Sequence, residues 1–119
     1  MIIGHVRNGF PLVTLALPGR RGTMYVEFIL DTGFEGELSV PGHVMRELDS
    51  ELRASHLFLM ADGSDRRAKQ YRLSMDWNEE ERRTEIIELE GRPLLGNLLL
   101  EGCSVHMDMV DGGEVTIEF

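Results

Sequence analysis

The chain has 119 residues, 42% of them hydrophobic and 28% charged, enough for one core in one domain spanning 1–119. Twelve Lys and Arg against 21 Asp and Glu leave a net charge of -9, a field that repels phosphate backbones and anionic lipid and so argues against nucleic-acid and membrane partners. The single Cys103 excludes an internal disulfide framework, and the first residues, MIIGHVRNGF, lack a signal-peptide pattern, so a reducing, cytoplasmic setting is expected.

Leu12 to Leu17 and Met24 to Leu30 flank Pro18-Gly19-Arg20-Arg21-Gly22. In the second run Met24, Val26, Phe28 and Leu30 alternate with Thr23, Tyr25 and Glu27, the period-two signature of a strand with one buried face, and the pair reads as a hairpin. Pro41 to Arg53 reads as a helix: proline suits the first turn, and Val44, Met45, Leu48 and Leu52 fall on one stripe. Leu57 to Met60 and Ala68 to Trp77 read as strands around the turn Ala61 to Asp65, Glu85 to Leu89 as another strand, and Asn97 to Glu101 as a short helix between two glycines. Cys103, Val105, Met107 and Met109 alternate with Ser104, His106 and Asp108. After Asp111-Gly112-Gly113 the alternation resumes at Val115, Ile117 and Phe119, a second hairpin.

The acid excess is concentrated. Asp76 to Glu90 holds seven acids and two arginines, -5 of the total -9, and reads as a solvated turn and outward strand face or as a docking patch for a basic partner. The four histidines have no metal-ligand spacing, Glu35 and Glu37 lack a calcium-loop pattern, and no phosphate-binding glycine loop is present, so no metal or nucleotide cofactor is expected. Cys103, alternating with apolar residues, reads as a small buried hydrophobe, and Asn97 as a cap or turn residue.

The chemistry points to Phe28-Ile29-Leu30-Asp31-Thr32-Gly33. An apolar strand that runs directly into a carboxylate must satisfy it by hydrogen bonding, and a glycine two residues on lets backbone N–H groups approach. A threonine hydroxyl can brace such a loop, and the result suits a carboxylate held for acid–base work. Taken alone, the tripeptide also fits an ordinary turn closing a strand.

Its context resembles the aspartic proteases of the retroviral, pepsin-related type. The apolar strand before Asp31-Thr32-Gly33 is similar to that family's active-site strand, and Pro93-Leu94-Leu95-Gly96-Asn97-Leu98-Leu99 to its second signature. Leu59 to Ser64 lies where the family places its flap hairpin, and Cys103 to Met109 where it places a closing strand. The likeness covers roughly Tyr25 to Met109, and Asp31-Thr32-Gly33-Phe34 with Leu38 and Pro41 is most like the small prokaryotic members.

The resemblance implies an all-β, closed-barrel-like fold with one or two short helices. It implies a peptide or protein substrate and a homodimer in which two Asp31 carboxylates share a proton, since a single chain supplies one. Thr32 and Gly33 would support the loop, and the alternating C-terminal strands with Met1 to Val6 would be candidates for the interface sheet. Met60, Ala61, Asp62 and Gly63 of the flap, with Phe34, would touch substrate. Phe34 stands where viral enzymes carry a small residue, and Ala61-Asp62-Gly63 replaces a more glycine-rich tip. The other reading is a non-catalytic module that keeps the fold and grips extended peptides by strand addition.

Overall fold

A computed structural model describes residues 1–59 and 62–119; for Phe58 and Leu59 it describes the backbone. Asn8 and Gly9, both with positive φ, turn β1 (Ile2–Arg7) into β2 (Phe10–Gly19). β2 pairs in turn with β3 (Gly22–Asp31), so the expected first hairpin forms with Leu17 opposite Met24 and Val13 opposite Phe28. The alternation acts as the pattern requires: Val26, Phe28 and Leu30 are buried while Thr23 and Tyr25 are exposed.

The predicted helix over Pro41 to Arg53 is not what forms. Only α1 (Gly42–Met45) is helical, and the chain re-emerges as strand β5 (Glu51–Leu59). Two long-range backbone bonds end the helix: Arg20 N–H donates to the Glu47 carbonyl and Asp49 N–H to the Pro18 carbonyl, each at 2.9 Å. Met45 and Leu48 are buried as expected, but Leu52, placed on the same stripe, is 57% exposed on β5.

β5 pairs with β6 (Asp65–Trp77), and β6 with β7 (Glu80–Glu88) through a turn in which Asn78 and Glu79 take positive φ. The strands predicted at Ala68 to Trp77 and Glu85 to Leu89 therefore exist and start earlier. Most of the acid-rich segment is strand, with the turn confined to Asn78 and Glu79. β4 (Leu38–Val40), β8 (Leu94–Gly96), α2 (Asn97–Leu100), β9 (Ser104–Met107) and β10 (Glu114–Glu118) complete the chain. The second hairpin, β9 with β10, is also as expected, although Met109 lies beyond the strand and is exposed. β1 pairs with β10 inside the same chain.

The ten strands among the described residues belong to one sheet in the order β5-β6-β7-β4-β8-β3-β2-β1-β10-β9. β5 and β9 are its two edges, so the protein is all-β with two short helices, and the expected closed barrel is replaced by an open sheet. The sheet curves enough for β2 to contact β6, and between its arms lies a core that includes Phe28, Leu38, Leu48, Ile86, Leu95, Val115 and Ile117, all fully buried. Trp77 packs edge-on against Phe119 at 5.0 Å. Among the described residues no helix is long and apolar enough to cross a membrane.

Candidate active site

Strand order explains how two sequence signatures 60 residues apart meet. β8 lies between β3 and β4, parallel to β3 and antiparallel to β4, with Asp31 opposite Gly96 and Leu38 opposite Leu95. The chain leaving β3 at Asp31 must therefore cross the end of β8 before returning as β4. Residues 32–37 make that crossing. Three backbone bonds fasten them to the segment below: Gly96 N–H donates to the Glu37 carbonyl (2.8 Å), Asn97 N–H to the Phe34 carbonyl (3.0 Å) and Leu98 N–H to the Gly36 carbonyl (3.1 Å).

The crossing is so close that position 96 tolerates no side chain. A Cβ there would lie 2.6 Å from the Phe34 carbonyl oxygen and closer still to that of Gly36. The Leu-Leu-Gly sequence thus has a packing cause: Leu95 fills the core, and Gly96 admits the loop.

Asp31, Thr32, Gly33 and Phe34 come together on this crossing. Asp31 is half-buried at the strand end, while Thr32 and Gly33 are exposed. The Asp31 carboxylate accepts the Gly33 N–H at 3.0 Å, and its carbonyl accepts the Phe34 N–H at 3.1 Å, so the loop turns back on its own aspartate. The glycine two residues on makes the approach for which the sequence pattern argued. Phe34 is half-buried and folds its ring over Gly36 and Gly96, packing the crossing against β8.

Two further supports were not identified as such in the sequence. Asn97 Nδ2 donates to the Thr32 carbonyl at 3.2 Å, pinning the exposed part of the loop, while its Oδ1 is buried with no hydrogen-bond partner among the described residues. Glu37, whose side chain is only 12% exposed, accepts the Glu85 N–H at 2.8 Å and is ion-paired with Arg82. The far end of the loop is therefore anchored to β7. Neither partner is near in sequence, so no local spacing announces the pair.

Of the expected flap residues, Met60 and Ala61 lie outside the described residues. Asp62 and Gly63 form a local turn: Asp62 accepts the Ser64 N–H at 2.9 Å and the Ser64 hydroxyl at 2.5 Å, bonds that hold its carboxyl below the usual range, and Gly63 has φ +84°. No hydrogen bond or ion pair joins Asp62 or Gly63 to the Asp31 loop among the described residues. No three His, Cys, Asp or Glu side chains among the described residues are grouped to hold a metal ion. Cys103 is half-buried against the core; burial pushes its thiol up, partly opposed by the Arg82 charge, so it stays protonated at neutral pH.

No protein-family model matches the chain, and no curated protein or solved structure does either.

Proposed function

We infer that the chain is one half of an aspartic endopeptidase of the retropepsin type, completed by a second copy of itself. A single observation carries the reading. Asp31-Thr32-Gly33 is displayed at the surface on a loop clamped at both ends to the Leu94–Gly96 strand and the helix after it, so that the two motifs of the resemblance form one rigid unit. A half-exposed carboxylate on such a unit is suited to facing a symmetry mate across a two-fold axis.

In that pair the two Asp31 carboxyls hold one proton between them. The ionised one takes a proton from a water, whose oxygen attacks the scissile carbonyl carbon. The protonated one gives its proton to the carbonyl oxygen. The resulting gem-diol collapses as the C–N bond breaks: the carboxyl that took the water proton passes it to the leaving amine, and the other carboxylate takes one hydroxyl proton of the gem-diol, which restores the shared proton. Thr32 and Gly33 keep the loop in place, and Phe34 with Met60 to Gly63 borders the substrate. A cytoplasmic setting accords with the single, protonated Cys103.

Incubating the protein with a peptide library from acid to neutral pH tests this. Asp31→Asn is expected to reduce hydrolysis about 10³-fold while circular dichroism and dimer content stay unchanged. Hydrolysis that survives the substitution sinks the reading. One observation favours a second reading, a peptide-binding module: β5 is a nine-residue strand at an edge of the sheet, the position at which an extended peptide adds as a further strand. Peptide capture with no cleavage at any pH would select it.

A further inference from the structure

The hairpin of β5 and β6 projects past the sheet. β6 pairs with β7 only from Gln70 to Trp77, so Asp65 to Lys69 are paired with β5 alone. Such an arm has no third strand to stiffen it.

Alternation along β6 defines the two faces. Leu73 and Met75 are buried and Tyr71 packs against the core, so Lys69 and Arg67 continue the core-facing row outward, with Asp65 at its far end. Opposite them on β5 stand Ser55 and Leu57, and Leu52 is opposite Tyr71. Leu57 is 61% exposed and Leu52 57%, so this face is uncovered. The opposite face differs: Ala68 is buried, and Arg72 and Gln70 bond Glu85.

Charge identifies what would cover the open face. The chain carries 21 acids, yet none makes an ion pair with Arg67 or Lys69 among the described residues. Two unpaired cations two residues apart on a strand lie about 7 Å apart on one face. Carboxylates at alternate positions of an extended peptide repeat at the same distance, and an apolar residue two positions further on, on the same face, would cover Leu57. We propose that the core-facing side of the β5–β6 arm binds an extended, acidic peptide through Arg67, Lys69 and Leu57. This rests on the protease reading only in that it makes such a peptide the substrate class; the binding itself does not need hydrolysis.

The test uses the Asp31→Asn chain, so that ligand is not consumed, and two fluorescent hexapeptides, Glu-Ser-Glu-Ser-Val-Ser and Lys-Ser-Lys-Ser-Val-Ser, each with its charges and its valine on one face. The acidic peptide is expected to bind at least about tenfold tighter at low salt. Arg67→Glu with Lys69→Glu should reverse the preference, whereas Arg66→Glu, a charge change on the opposite face, should shift affinity less than about twofold. Equal binding of both peptides, no binding of either, or an equal effect of Arg66→Glu overturns the proposal. Wild-type hydrolysis separates the two ideas. Acid-selective binding without any cleavage leaves this inference standing and removes the protease reading; cleavage with no preference for acidic peptides does the reverse.

Discussion

Gly96 and Gly9 are both glycines for backbone reasons, but the reasons differ and so do the costs. Gly9 needs only its positive φ of 82°, and no atom lies within 4 Å of the position a Cβ would take, so Gly9→Ala should cost about 1 kcal/mol. Gly96→Ala must push two carbonyl oxygens of the crossing loop aside and should cost about 2–3 kcal/mol, with a fall in any Asp31-dependent activity beyond the loss of folded protein. Urea titration of the two variants measures the difference; equal midpoints would mean that the loop does not sit where the clash requires. Glu37→Gln gives a second residue-scale test. It leaves Arg82 without its partner and weakens the bond to the Glu85 N–H, which should cost about 1.5–3 kcal/mol, at the lower end because Arg82 is partly exposed. The sequence displays the Asp31 triplet and the Leu-Leu-Gly run because both are local patterns. Glu37 and Arg82 are 45 positions apart and meet only because β4 lies beside β7, so nothing in the spacing of either could single it out.

At the scale of elements, the hairpins were legible and the helix was misread for related reasons. Strand alternation is enforced by each strand's own pleat, so Met24 to Leu30 and Val115 to Ile117 read correctly without knowledge of their partners. The stripe Val44, Met45, Leu48 and Leu52 is equally periodic, but a single helical turn already buries Met45 and half-buries Val44. The remainder is captured by the backbone of the first hairpin through Pro18 and Arg20, a long-range competition that periodicity cannot reveal. The acid-rich segment shows a similar division of roles. Glu85 is bonded by Gln70 at 2.8 Å and Arg72 at 2.7 Å across the β6–β7 ladder, and Glu90 accepts the Gly42 N–H, while Glu79 to Glu81 are exposed. Burial alone would push the Glu85 carboxyl up, but the two hydrogen bonds and the Arg72 charge outweigh it and hold it below the usual range. A carboxyl depressed by folding contributes stability above its unfolded pKa, about 4.3, and that contribution fades as pH falls through the lower folded value. Glu85→Gln should therefore lower stability to urea at pH 7 by at most about 1 kcal/mol, given the partial exposure of the pair, and the gap to wild type should narrow as pH falls below about 4.3. A gap that is independent of pH would assign the effect to packing instead.

For the whole molecule, the open sheet and the net charge together shape the quaternary prediction. β1 and β10 are already paired within the chain, so two copies cannot associate by exchanging those strands without breaking an existing ladder. The edge strands are β9 and β5, and on the proposed pairing the surface that would meet its mate is the Asp31 loop, with Thr32 and Gly33 exposed. Each chain carries -9, so a dimer would carry twice that, -18, and the two halves repel over long range. Screening shortens that repulsion from about 30 Å at 0.01 M salt to about 8 Å at 0.15 M, while apolar and hydrogen-bonded contacts at an interface are little affected. Association through the Asp31 face is therefore expected to strengthen as salt rises, with hydrolysis rising in parallel when the protein is dilute. Sedimentation velocity between 0.02 and 0.5 M NaCl, run beside the peptide assay, reads both quantities on one sample. A strict monomer at every salt concentration would leave Asp31 without its second carboxylate. A dimer that salt dissociates would place the interface at opposite charges, such as the cationic β5–β6 arm against the acidic β6–β7 turn, and not at the loop that carries Asp31.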